Sequence, residues 1–163
     1  MNSVLIRPAT PGDIPSMRAL EQQSESAAHW AEREYDALFA AGAPPRVSLV
    51  AIENESQTMC GFAIARCATD EWEIENVVVA LEERKRGMGS RLIGELLVRA
   101  RSAGATSVLL EVRESNRAAR RLYEKLGFSQ QARRSRYYRD PEEDALQLHF
   151  SGENLRQFYL EGE

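Results

Sequence analysis

Hydrophobic and polar positions change period repeatedly along the chain. Val4–Arg7 alternates as a short strand. Ile14, Met17 and Leu20 then recur at helical spacing behind Thr10-Pro11-Gly12-Asp13. Thr10 suits an N-cap, Pro11 the first helical position and Asp13 the first turn. A second helix is predicted over Ala31–Ala41, with Tyr35, Leu38 and Phe39 on one face and Gly42 as its stop. Val47–Glu53 and Met59–Arg66 read as strands around the polar turn Asn54–Gln57, and Glu73–Val79 reads as a fourth strand. Leu92, Ile93, Leu96, Leu97 and Ala100 keep a helical spacing within Ser90–Ala103, which Gly104 ends. Ser107–Val112 is a buried-looking strand. Asn116–Leu126 is a helix between an N-cap at Asn116 and a C-cap at Gly127. Gln131–Tyr138 and Ala145–Phe150 add two strands. The order β-α-α-β-β-β-α-β-α-β-β predicts one α/β domain over residues 1–150, a mixed sheet with helices on both faces. Residues 151–163 form a polar tail with no element assigned.

The composition excludes several classes. With 163 residues the chain is one domain with room for a single core. A net charge of −4 does not favour nucleic acid, although Arg84, Lys85 and Arg86 cluster, as do Arg117, Arg120 and Arg121, then Arg133, Arg134 and Arg136. Cys60 and Cys67 lie seven residues apart on one expected strand, so they are expected on opposite faces, unpaired, in a reducing compartment. His29 and His149 are isolated, and with the cysteines they show no metal-ligand spacing. No apolar run reaches the length of a membrane span, and Met1-Asn2-Ser3-Val4 lacks the pattern of a signal peptide, so a cytoplasmic location is expected.

The segment Arg84-Lys85-Arg86-Gly87-Met88-Gly89 changes this picture. It follows Val77-Val78-Val79 and opens the helix that begins near Ser90. A strand that turns through glycines into a helix aims several backbone N–H groups, and the positive end of a helix dipole, at one spot. Such a spot suits a phosphate or pyrophosphate, and glycine lets the backbone approach it. The turn is not a Walker loop, because no Lys-Ser/Thr follows the second glycine, and it is not G-x-G-x-x-G.

Arg84-x-x-Gly87-x-Gly89, together with Asn116 and Leu122-Tyr123-Glu124-Lys125-Leu126-Gly127-Phe128, resembles the two signatures of the GCN5-related N-acetyltransferase (GNAT) superfamily. The likeness spans Val4–Phe150. It implies a mostly antiparallel twisted sheet of about seven strands, acetyl-CoA as cosubstrate and no metal. Leu110–Asn116, Leu122-Tyr123 and Arg136-Tyr137-Tyr138 further resemble the protein N-terminal acetyltransferases that act on a ribosomal protein whose first residue is alanine. That likeness implies a primary-amine acceptor, most simply a protein N-terminus, with no direct contact to nucleic acid or membrane. A monomer and a homodimer are both compatible with it.

The reaction so implied is attack of a neutral amine on a thioester. An α-amine has a pKa of about 8, so a base must remove its proton. Glu111 is the candidate base, a carboxylate at the end of the apolar run Val108-Leu109-Leu110. The bland alternative is an edge carboxylate paired with Arg113 or another arginine. Tyr123 is the candidate acid for the departing thiolate, or else a core aromatic beside Leu122 and Leu126. Val77, Val78 and Val79 would offer main-chain groups to the acetyl and pantetheine arm, while their side chains are core. Asn116 would reach the pantetheine amides, or act only as an N-cap. Arg84, Lys85, Arg86, Gly87, Met88, Gly89 and Ser90 would meet the phosphates. Trp30, Tyr137 and Tyr138 would hold a peptide N-terminus, or simply pack. Glu75 near the acceptor would suit a cationic small molecule. Three other readings stand beside this one. They are a GNAT enzyme for a small amine, a non-catalytic acyl-CoA sensor, and an RNA-binding module, which the acidic charge opposes.

Overall fold

The computed structural model describes residues 3–25 and 27–159. Seven strands form one sheet: β1 (Val4–Pro8), β2 (Arg46–Glu53), β3 (Met59–Ala68), β4 (Glu71–Val79), β5 (Ser107–Arg113), β6 (Ser129–Tyr138) and β7 (Glu143–Phe150). Their spatial order is β1-β2-β3-β4-β5-β7-β6. Every neighbouring pair is antiparallel except β4 with β5. Five helices accompany the strands: α1 (Ile14–Gln22), α2 (Glu32–Ala37), α3 (Met88–Ser102), α4 (Arg117–Leu126) and α5 (Gly152–Gln157). The expected mixed, mostly antiparallel sheet with helices on both faces is the fold observed.

Alternation along the strands builds two cores. Leu49 and Ala51 of β2, with Ala63 and Ala65 of β3, face Leu92, Ile93, Leu96, Leu97 and Ala100 of α3. Val50 and Ile52, with Phe62 and Ile64, face Met17 of α1 and Tyr35 of α2. A strand covered on both sides reads as a continuous apolar run, and Met59–Ala65 is buried throughout. β6 is the opposite case. It is an outer strand paired only with β7, and Ser129–Tyr137 is exposed on both faces.

Three expectations need correction. The second helix ends at Ala37 instead of Ala41. Beyond it, the N–H groups of Leu38, Ala40 and Ala43 reach back three residues, to Tyr35, Ala37 and Ala40, so the chain continues in tight turns. Phe39 is left 39% exposed. The two cysteines share a face. The β2–β3 register steps from Ala51↔Gly61 to Ile52↔Met59, which makes Cys60 the extra residue of a bulge and resets the alternation. Both cysteines are free, and both pack in the α3-side core. Finally, the polar tail contains α5, capped by the Ser151 hydroxyl. Leu155 is buried in the α3-side core, and Arg101 of α3 donates to the Phe158 carbonyl.

Candidate active site

A fork in the middle of the sheet organises the site. β4 and β5 pair in parallel from Glu71↔Ser107 to Ile74↔Leu110, and there the pairing stops. β4 continues to Val79 and β5 to Arg113. The cause is a bulge at Glu75, where the β3 partners step from Ile64↔Asn76 to Ala65↔Ile74. An extra residue bends its strand and ends local pairing. Beyond the fork, one edge of β4 has no neighbouring strand. The Ala80 N–H donates to the Cys60 carbonyl at 2.7 Å. By alternation Val78 and Asn76 also turn their main-chain groups toward β3, and Val77 and Val79 turn theirs into the gap. The expected main-chain role therefore falls on Val77 and Val79. Val78 is committed to β3, and its side chain fills the α1-side core.

The basic turn lies directly after this edge. A short 3₁₀ turn at Leu81–Glu83 leads to Lys85 and Gly87, both with positive φ (63° and 82°). Gly87 is the N-cap of α3, and the first helical bond runs from the Arg91 N–H to its carbonyl at 3.0 Å. The N–H groups of Met88, Gly89 and Ser90 thus have no acceptor within the helix. The two glycines serve different ends. Gly87 supplies the left-handed conformation in open space. Gly89 lets α3 approach α4, since a Cβ there would sit 3.2 Å from Leu122 Cδ1. Met88 is buried, so it can offer only its N–H. The Arg84 guanidinium donates to the Val79 carbonyl and to Ser24 Oγ, each at 3.2 Å. It thereby braces the turn, and Arg84, Lys85 and Arg86 are all exposed. Gly87→Val places a β-branched residue at φ 82°. Strain of about 1–2 kcal/mol is expected to weaken coenzyme A binding about tenfold, read by calorimetry, with the melting temperature lowered in parallel.

Glu111 and Tyr123 flank the fork. Glu111 is the first residue of β5 beyond the last pair, Ile74↔Leu110, and its side chain is 15% exposed. Its ionic partner is Arg134, with Nε 3.3 Å from Oε1. The arginine pairing named as the bland alternative therefore exists, but as a single contact. Tyr123 is 9% exposed, packs its ring on Phe128, and has no hydrogen-bond partner for its hydroxyl among the described residues. Burial, then the nearby Tyr138, pushes its pKa up to about 12. Tyr138 also feels Glu111, after burial, as it too rises to about 12. This tyrosine thus lies within electrostatic reach of both candidate groups. The Asn116 Oδ1 accepts from the Ala119 N–H at 3.2 Å, so it does cap α4, which leaves its Nδ2 for other partners.

A family model, Acetyltransferase (GNAT) family, matches residues 14–128. The chain belongs to this acetyltransferase family. It is similar to the ribosomal protein bS18-alanine N-acetyltransferase of Escherichia coli (strain K12), with 32% identity over 136 residues that cover 82% of this chain and 88% of that protein. Among solved structures it is similar to the ribosomal-protein-S18-alanine N-acetyltransferase from Escherichia coli, with TM-score 0.80, 27% identity and coverage of 99% and 97%. It is also similar to Ard1 from Thermoplasma volcanium, with TM-score 0.78, 26% identity and coverage of 91% and 97%. The protein is an acetyl-CoA-dependent N-acetyltransferase. The gap beside Val77 and Val79, followed by the open α3 N-terminus, fits a thioester arm that ends in a diphosphate.

The acceptor side of this acetyltransferase differs from the sequence reading. Trp30 packs on Tyr35 (5.5 Å between ring centroids) and under Arg46 (5.6 Å). Tyr137 and Tyr138 pack on each other at 5.2 Å, with Arg134 and Arg113 over their rings. Among the described residues the three aromatics therefore form two groups, Trp30 with Tyr35 and Tyr137 with Tyr138. The tyrosines meet because the β6–β7 register jumps from Arg134↔Ala145 to Tyr138↔Glu143, with Arg136 at φ 53°. Glu75 is not a free carboxylate. Arg46 Nε lies 2.7 Å and Arg66 Nε 3.9 Å from its oxygens, so its charge is already matched. Sequence reasoning missed Glu21. Its buried carboxylate accepts the Trp30 N–H (2.9 Å) and Asn76 Nδ2 (2.6 Å), tying the α1–α2 connection to β4. A carboxylate four residues after core Met17 was the available signal. Beside it lies a cavity of about 200 Å³ lined by Arg18, Glu21, Gln22, His29, Trp30 and Tyr35.

Proposed function

We propose that this enzyme acetylates the N-terminal α-amine of a protein, with a ribosomal protein that begins with alanine as the favoured acceptor. The fork between β4 and β5 carries the reading, since it gives an acyl carrier a channel with Glu111 at its apex. Acetyl-CoA supplies the acetyl thioester. The main-chain groups of Val77 and Val79 align and polarise the acetyl carbonyl. The N–H groups of Met88, Gly89 and Ser90, with Lys85 and Arg86, hold the diphosphate. Glu111 takes the proton of the incoming ammonium, directly or through water, and Tyr123 gives a proton to the departing sulfur. Tyr137 and Tyr138 on one side and Trp30 on the other border the acceptor. Among the described residues no group of His, Cys, Asp and Glu could hold a metal, and no helix is long and apolar enough to cross a membrane.

The similarity to ribosomal-protein alanine N-acetyltransferases supports the peptide acceptor over a small amine. The neutralised Glu75 also removes the feature that favoured a cationic small molecule. Incubation with acetyl-CoA, a library of alanine-first peptides and a set of polyamines, read by mass spectrometry, separates the two. Acetylated peptide α-amines are expected. Acetylated polyamines with untouched peptides would overturn the proposal. Calorimetric titration with coenzyme A is expected to show one site per chain, and its absence would remove the enzymatic reading altogether.

A further inference from the structure

The arginine over the candidate base belongs to a cluster of paired cations. Arg133 is matched by Glu114 and Asp144, Arg136 by Glu142, and Arg113 by Glu143. Arg134 has Glu111 as its carboxylate partner, through one nitrogen at 3.3 Å. Arg7, by contrast, grips Asp13 with two nitrogens at 2.8 and 3.0 Å. Arg134 is 54% exposed and Glu111 is 15% exposed. Arg134 also lies over the Tyr137 ring at 5.4 Å, but its ion pair is half-solvated and rests on one polar contact, so the pair is weakly held. Arg134 is also the last residue of β6 in register before the four-residue step to Tyr138, which spans only two residues on β7. The cation thus sits at the lip of the site, beside a segment without regular pairing.

The acceptor amine arrives mostly as a cation near neutral pH, and it must reach the same carboxylate. We propose that Arg134 holds the seat of the acceptor ammonium, and that loading the site exchanges guanidinium for ammonium over Glu111. This rests on Glu111 being the base. Between turnovers the sheltered carboxylate keeps a counter-charge. A free N-terminus can replace the guanidinium charge for charge. An acetylated N-terminus is neutral and cannot. Arg134 then sets how tightly a free amine is held over Glu111 and has no bearing on a blocked one.

The test uses the full chain saturated with coenzyme A, so that no turnover occurs. An alanine-first peptide and its Nα-acetylated form are titrated by calorimetry at low and at physiological salt. In the wild type, exchange of one cation for another makes free-amine binding nearly independent of salt. Arg134→Gln removes the competitor. It is expected to tighten the free-amine peptide about threefold to fivefold at low salt, to leave the acetylated peptide unchanged, and to make free-amine binding salt-sensitive. Arg134→Lys keeps a cation and is expected to behave as wild type. Equal weakening of both peptides by Arg134→Gln would make Arg134 an ordinary peptide contact and overturn the exchange. So would an unchanged affinity ratio and salt slope. A fully active Glu111→Gln variant overturns the base assignment beneath the proposal. An inactive one, with an unmoved ratio in Arg134→Gln, overturns the exchange alone. Failure of either peptide to bind wild type overturns the peptide-acceptor reading.

Discussion

Glu111→Gln lowers turnover on an alanine-first peptide by about 10²–10⁴-fold and leaves coenzyme A affinity unchanged. The amide keeps the size of the side chain but cannot take a proton. Among the described residues Arg134 has no second carboxylate in ionic contact. The residual rate is expected to rise with pH, because the variant must wait for an amine that has already lost its proton, with a midpoint of about 8. Steady-state kinetics across the pH range tests this. A variant that retains most of the wild-type turnover would return Glu111 to the role of an edge carboxylate. Stability is expected to change little, since the ion pair that is lost is half exposed on its arginine side.

Tyr123→Phe is expected to lower turnover about a hundredfold with coenzyme A binding and melting temperature nearly unchanged. The hydroxyl has no hydrogen-bond partner among the described residues, so its removal orphans no group. The ring packing on Phe128 is kept. Burial raises the Tyr123 pKa from the ordinary 10 to about 12, so the folded protein favours the neutral phenol. The resulting contribution to stability is fully present below pH 10 and is lost as the pH rises through about 12. The acid therefore stays protonated across the working range, and ionisation of Tyr123 limits wild-type activity only at strongly alkaline pH. Absence of a kinetic defect in Tyr123→Phe would assign the residue to packing and the thiolate proton to water.

Much of the fold was legible because burial repeats on a helical or strand period. The α3 stripe from Leu92 to Ala100 and the apolar β3 both follow directly from one-sided and two-sided covering. What escaped was set by one or two extra residues. The bulges at Cys60 and Glu75 shift side chains by one position, the step after Arg134 inserts two residues, and no periodicity announces them. The site shows the same division. The Gly turn and the caps at Asn116 and Gly127 are local chemistry, readable in a few residues. The matched charge on Glu75, the inward fold of Arg84 and the Glu21–Asn76 bond join positions 29, 60 and 55 residues apart, beyond any local pattern.

The exposed outer strand has one more consequence. In the proposed function, main-chain groups beside the α3-side core hold the carrier, whereas side chains of a solvent-facing hairpin border the recipient. Substitutions along Ser129–Tyr138 disturb almost no core. A lineage can thus retool which amines it modifies while the donor machinery stays intact, and a protein engineer can graft a new hairpin there at little cost in folding.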